Sequence, residues 1–215
     1  MPRYIDLTLT LRPGMRGVQI DPEKDLTRDG WNATILHLYS HCGTHMDAPI
    51  HFGVGRQTID QLDVAHFIGP AWVVDVRPVE PRALIGVDSV KGISAKIRPG
   101  DSVLMCTGWS QFAQEQRYRT ELPRISADLA QWCVHRQIRM LGIEPPSVAD
   151  VGNLEELATV HRILFEGGVI VVEGLANLHL LAKPRVTFIA LPLKIAEGDG
   201  APVRALAIEE DMERR

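Results

Sequence analysis

His41-Cys42-Gly43-Thr44-His45-Met46-Asp47-Ala48-Pro49-Ile50-His51-Phe52 places three of the chain's eight histidines and an aspartate within eleven residues. Imidazole and carboxylate are ligands for zinc, manganese or iron, and no second cysteine stands nearby to make a thiolate site. Gly43 and Pro49 lie among the polar residues, which disfavours a regular helix presenting His41 and His45 four apart. In an extended chain His41, His45, Asp47 and His51 share one face. His41 and Asp47 would then be ~20 Å apart at ~3.3 Å per residue, far beyond the ~2 Å reach of one ion's ligands. The chain must therefore fold back, and Gly43 is where the backbone is freest to do so. His51, two residues past Pro49, is either a further ligand or a general base. The alternative for the whole set is histidines that only hydrogen-bond within a loop.

Around this stretch lies a chain of 215 residues, 45% hydrophobic, which suffices for a buried core and for one domain spanning residues 1–215. A formal charge of −4 and a pI near 6.1 leave no basic footprint for nucleic acid, so the expected partner is a small molecule. Cys42, Cys106 and Cys133 are an odd number without paired spacing; they read as small buried hydrophobes in a reducing compartment. No apolar run approaches the ~20 residues of a membrane span, and Met1-Pro2-Arg3-Tyr4-Ile5-Asp6 lacks a signal-peptide core, so a cytoplasmic location is expected.

Residues 4–11 alternate apolar with polar and predict a half-buried strand ending at Pro13-Gly14. Residues 12–30 show no period and read as a long loop able to act as a lid. Trp31 to Tyr39 reads as a strand from whose end the His41 stretch hangs. Further strands are expected at 71–76, 102–107, 141–144, 169–173, 186–191 and 203–208. A short helix is expected over Val87–Lys96, an amphipathic one from the N-cap Ser126 through Met140, and another over Ala158–Phe165 closed by Gly167-Gly168. Glu173 finishes a continuous apolar strand, where open sheets place ligand sites. Met212 to Arg215 reads as a frayed polar tail.

The His41 stretch matches the His-x-Gly-Thr-His-x-Asp-x-Pro-x-His signature, and the chain resembles the cyclase family of metal-dependent hydrolases, which takes in kynurenine formamidases and isatin hydrolases. The resemblance continues through Thr107-Gly108-Trp109, Gly142-Ile143-Glu144-Pro145-Pro146-Ser147, His161-Arg162-Ile163-Leu164 and Val172-Glu173-Gly174-Leu175-Ala176-Asn177-Leu178. It implies an α/β chain with the swivelling β/β/α fold, a mixed sheet with helices, assembling as a homodimer or higher homo-oligomer. It also implies one or two divalent ions, zinc or manganese. By the same resemblance His41, His45 and Asp47 hold the first ion, Asp47 and Glu173 bridge to a second also bound by His161, and His51 donates and accepts the proton. The chain departs from the family at Glu144, where Asp is more usual. It departs again at Leu11-Arg12-Pro13-Gly14-Met15-Arg16, where formamidases carry a Trp beside the Pro-Gly turn.

A divalent ion lowers the pKa of bound water from 15.7 to about 7 and polarises a carbonyl, and His51 can take the water proton and return it to a leaving nitrogen. The chain has no Gly-x-Ser-x-Gly elbow, and neither Ser110 nor Ser147 has a local group to activate it. The expected activity is hydrolysis of a small amide, first an aryl formamide such as N-formylkynurenine, with a cyclic amide or imide such as isatin second. A metal-bearing binding protein without catalysis is the non-enzyme alternative. Arg12 and Arg16 either clamp a substrate carboxylate or are solvated surface residues, and Trp31, Trp109 and Phe52 are candidates to stack on an aromatic substrate or to fill the core.

Overall fold

The computed structural model describes residues 1–210. In chain order the strands are β1 (Arg3–Asp6), β2 (Val18–Lys24), β3 (Ala33–Leu38), β4 (His45–Asp47), β5 (Ile68–Asp75), β6 (Leu84–Ile85), β7 (Ser102–Cys106), β8 (Arg124–Ile125), β9 (Met140–Ile143), β10 (Ile170–Glu173), β11 (Arg185–Pro192) and β12 (Gly200–Glu209). The helices are α1 (Leu26–Asp29), α2 (Arg117–Thr120), α3 (Ala127–His135) and α4 (Leu154–Glu166). The expected tail at Met212–Arg215 lies outside the described residues.

The main sheet runs β1-β12-β11-β5-β7-β9-β10-β4, and β4 also pairs with β12, so the sheet closes on itself. It is mixed: β5, β7, β9 and β10 are mutually parallel, whereas β4, β11 and β12 pair antiparallel with their neighbours. All of β7, β9 and β10 is buried. Strands covered on both faces need no polar alternation, which is why these segments read as unbroken apolar runs. Successive residues serve different cores: Leu104 and Cys106 join Met46, Val172, Leu175 and Phe188 inside the closed sheet, while Val103 and Met105 meet Leu129, Cys133, Leu164 and Phe165 beneath α3 and α4. All three cysteines are buried and unpaired.

Several expected boundaries are corrected. The first strand ends at Asp6 rather than residue 11, because at Thr8 the side chain takes over the pairing: its hydroxyl donates to the Ala205 carbonyl and accepts from the Ala205 N–H, each at 2.9 Å. The long loop expected over 12–30 contains β2 and α1, and β2 pairs with β3 as a separate hairpin. Only Val18 of the seven β2 residues is buried, which leaves no apolar period to read in that segment. Over Val87–Lys96 only a turn of 3-10 helix, Val87–Val90, forms. Helix α3 stops at His135 instead of Met140; Gln137 takes the left-handed conformation (φ 53°), and Met140 is drawn into the sheet as the start of β9. Helix α4 begins at Leu154, ahead of the expected Ala158, because the Asn153 side chain caps it by accepting from Glu156 N–H.

Candidate metal centre and active site

The site is built by the strand that closes the sheet. In β4, His45 lies opposite Glu173 and Asp47 opposite Val171 on β10, so His45, Asp47 and Glu173 face the same side. Val171 belongs to the core beneath α4, and the intervening Met46 turns into the closed sheet with Val172. The polar face is therefore the one α4 covers, and α4 buries His161 there together with Val160, Leu164 and Phe165. Residues more than a hundred positions apart are thus joined by strand register and one helix.

Gly43 does fold the chain back. Its φ of 59° turns the backbone so that His41 returns to within 2.8 Å (Nδ1) of Asp47 Oδ1. Gly174, at φ 67°, packs against this turn so closely that a Cβ there would stand 2.3 Å from the Gly43 carbonyl oxygen. Thr44 ties the two turns, its hydroxyl donating to the Gly174 carbonyl (2.5 Å) and accepting from Leu9 N–H (2.8 Å). On the other side of β4, Gly200 leaves room for the His41 ring, since a Cβ would come 2.7 Å from His41 Cε1. Pro49 opens a turn of 3-10 helix through Phe52, which carries His51 into a stack on His41 with ring centroids 3.9 Å apart.

Two hydrogen bonds decide what the histidines can do. His45 Nδ1–H donates to the Gly43 carbonyl (3.0 Å) and His161 Nδ1–H to the Leu157 carbonyl (2.7 Å); a carbonyl only accepts, so the proton sits on Nδ1 in both rings. Both Nε2 atoms then face carboxylates: His45 Nε2 is 3.2 Å from Glu173 and 3.6 Å from Asp47, and His161 Nε2 is 3.4 Å from Glu173 and 3.6 Å from Asp47. A lone pair facing a carboxylate is repulsive unless a cation or a proton lies between them. This arrangement, with rings oriented by backbone carbonyls, fits a divalent ion. Ligand atoms of His41, His45 and Asp47 lie within 4.8 Å of one another, as do those of Asp47, His161 and Glu173, and of His41, His51 and Asp199.

Without an ion, protons fill the gap. Burial pulls the His41 pKa down, but Asp47 and Asp199 on either side outweigh it and raise it to about 9. His45 and His161 are raised in the same way, burial being overcome by Glu173 and Asp47. Glu173 is buried, which favours its neutral form, yet its bonds to His161 and His45 hold it well below the carboxylate range. His51 moves the other way: burial, with the charge on His41, lowers its pKa despite Asp47 and Asp199. His51 is thus a neutral base beside a cluster of charged rings.

Residues 5–150 match the family described as Putative cyclase. The chain belongs to the cyclase family. A kynurenine formamidase of Bacillus cereus is 33% identical over 175 residues, covering 81% of this chain and 79% of the relative. A crystal structure of an isatin hydrolase bound to the product analogue thioisatinate superposes with a TM-score of 0.89 at 26% identity, covering 98% of this chain and 93% of that one. A potential metal-dependent hydrolase with cyclase activity superposes at 0.79 and 27% identity, covering 98% and 100%. The family's mixed α/β architecture is the one described above.

Among the residues singled out in the sequence, His41, His45, Asp47, His51, His161 and Glu173 are brought together around a cavity of about 280 Å³, with Phe52 stacked on His161 at 4.2 Å. Arg16 also lines it, whereas Arg12 lines a separate depression that none of those six reaches. Trp109 is a core residue and Trp31 stands exposed on the hairpin. Glu144 does not wall the site. It is wholly buried and accepts from Thr107 N–H and hydroxyl, from Gly108 N–H and from Ser110 hydroxyl, fixing the loop after β7. Two residues went unread. Asp199 accepts from His41 Nε2 (3.0 Å) and lies 3.4 Å from His51 Nδ1, and Arg119 lines the cavity. Asp199 has one local signal, a carboxylate between two glycines ahead of a strand; Arg119 has none.

Proposed function

We propose that the protein is a metal-dependent amide hydrolase acting on carbon–nitrogen bonds outside peptides, with an aryl formamide of the N-formylkynurenine type as its substrate. The observation that carries the reading is the pair of imidazole Nε2 atoms, each with its Nδ1–H committed to a backbone carbonyl, converging on Asp47 and Glu173. His41, His45 and Asp47 would hold one ion, and Asp47, His161 and Glu173 a second, with Asp47 shared; nitrogen and carboxylate donors suit zinc or manganese. A divalent ion supplies charge to polarise an amide carbonyl and to acidify water. The chain's own residues do the rest. Burial lowers the His51 pKa, so its imidazole can take a proton from water and return it to the leaving nitrogen. Asp199 holds the His51 Nδ1 edge, which leaves the other ring nitrogen for the cavity. The Phe52 ring covers His161 and keeps water from that side.

A neutral base lying beside, not inside, the best-formed ligand groups favours catalysis over a metal-bearing binding protein. The second substrate reading, a cyclic amide such as isatin, is favoured by the extent of the superposition on an isatin hydrolase. We rank the formamide first, with the 33% identity to a kynurenine formamidase as support. The chain is read as one domain, since β12 pairs with β1, β4 and β11 and so ties its beginning to its end. We read it as a homodimer or higher homo-oligomer, because the β2–β3 hairpin and its flanks expose Trp31, Ile35, Leu36 and Tyr39, and an isolated two-stranded hairpin is marginal in water. Three buried, unpaired cysteines favour a cytoplasmic location; among the described residues no helix is long and apolar enough to cross a membrane. The deciding experiment is elemental analysis followed by hydrolysis assays on N-formylkynurenine and isatin before and after chelator dialysis. Activity lost on dialysis and restored by zinc or manganese is expected; full activity in metal-free protein would refute the reading.

A further inference from the structure

Arg119 is placed with more care than a solvated arginine needs. Its preceding residue is anchored twice: the Tyr118 hydroxyl donates to the Glu144 carbonyl (2.6 Å), and the Tyr118 carbonyl accepts from Trp109 Nε1–H (2.9 Å). The second anchor, Trp109, belongs to the loop after β7 that the buried Glu144 carboxylate fixes. The guanidinium so positioned is half-buried, and among the described residues no carboxylate or hydrogen-bond acceptor pairs with it. Arg16 reaches the same space from the start of the hairpin and lies over the Tyr39 ring at 4.9 Å. Burial first, and then the Arg16 charge, disfavour the charged form of Arg119, outweighing the smaller opposing effects of Glu173 and Tyr39. Arg16 and Arg119 both line the 280 Å³ cavity over the ligand cluster and the adjoining cavity of about 460 Å³, which also reaches His41 and His45.

Two guanidiniums lining one cavity, neither in ion-pair contact with a carboxylate among the described residues and one of them half-buried, are a costly arrangement unless an anion completes it. We propose that Arg16 and Arg119 form a carboxylate-binding pair that selects amide substrates bearing a carboxylate remote from the scissile bond. This rests on the amide-hydrolase reading and narrows it: the substrate enters as an anion, its carboxylate on the arginines and its amide toward His51 and the ligand cluster. Neutral aryl formamides and isatin lack that group.

The test uses the metal-loaded, full-length protein and a substrate pair differing only by the carboxylate, N-formylkynurenine and N-formylkynuramine. The wild type should favour the former in kcat/KM by about tenfold to a hundredfold, mainly through KM, as expected for a charge-assisted contact. Arg119→Met should remove most of that preference and Arg119→Lys should restore part of it. Arg16→Met, at an exposed position where folding is not at stake, should remove a further part. Equal kcat/KM for the two substrates in the wild type, or equal losses on both in Arg119→Met, would overturn the proposal. Calorimetric binding of kynurenine against kynuramine separates the two readings. If neither formamide is hydrolysed yet kynurenine binds at least tenfold tighter and Arg119→Met abolishes the difference, the formamidase reading fails and the carboxylate pair stands. Equal binding of the two overturns the pair irrespective of activity.

Discussion

Metal binding should be in direct competition with protons, and His41 sets the size of the effect. Lying between Asp47 (2.8 Å) and Asp199 (3.0 Å), its pKa in the ion-free protein is about 9 against an ordinary 6.5. An ion must displace that proton, so affinity should rise about tenfold per pH unit until about pH 9. Between pH 6.5 and 8.5 the gain from His41 alone is about a hundredfold, whereas a histidine at its ordinary pKa would contribute only about twofold over the same interval. His45 and His161, also raised, act in the same direction. The assay is competition for zinc or manganese against a chromophoric chelator whose own protonation is measured in the same buffers. Calorimetry in buffers of different ionisation heat would count the protons released. An affinity change of threefold or less over the interval would refute the reasoning. The ion-free fold should respond in the opposite sense. A pKa raised on folding gives stability that is complete below pH 6.5 and lost as pH climbs through about 9. His41 is nearly buried (7% exposed), so the loss is about 3 kcal/mol. Chelator-stripped protein should therefore melt at falling temperature across that window, and the metal-loaded protein should not.

Five further substitutions separate the roles. His51→Ala should lower kcat ~10²–10⁴-fold while metal content, by elemental analysis, stays near wild type; His41→Ala should lose the metal as well, and the reverse pattern would exchange their roles. Asp199→Asn removes the carboxylate touching both His41 and His51 and should cost about 10–100-fold in metal affinity or kcat, measured separately on the same preparation. Glu173→Gln should lower metal occupancy, because Glu173 faces both Nε2 atoms; occupancy equal to wild type would exclude it as a ligand. Glu144→Ala leaves two buried backbone N–H groups and two hydroxyls without their acceptor, and should cost about 4 kcal/mol in denaturant unfolding; a loss below about 1 kcal/mol would show the loop after β7 to be held by other contacts.

What could be read in the sequence divides along a physical line. The buried strands β7, β9 and β10 announced themselves because burial on both faces demands continuous apolar runs, and α3 because its apolar stripe repeats with the helical period behind the Ser126 cap. Strand β3 was legible as part of the run from Trp31 to Tyr39, but its partner β2 was not, because it buries only Val18 and leaves no apolar alternation to read. The fold-back at Gly43 was legible for a different reason: an extended chain cannot bring His41 to Asp47, and only a left-handed turn can.

The site shows the same division one level up. His41, His45, Asp47 and His51 cluster in sequence because one strand and its flanking turns carry them, so their spacing is itself information. Asp199 reaches His41 and His51, and Arg119 the cavity, from segments with no spacing relation to that strand. Asp199 arrives because β12 pairs with β4 and brings the preceding turn over His41, a consequence of sheet closure that no local pattern encodes. Arg119 arrives because the Glu144 backbone carbonyl, 25 residues later in the chain, accepts from the Tyr118 hydroxyl, a long-range contact with no trace in the local sequence. The proposed ligand set is thus concentrated where the sheet closes, on β4, β10 and α4, while Asp199 and Arg119, the groups proposed to orient and select the substrate, lie on loops that this closure brings near.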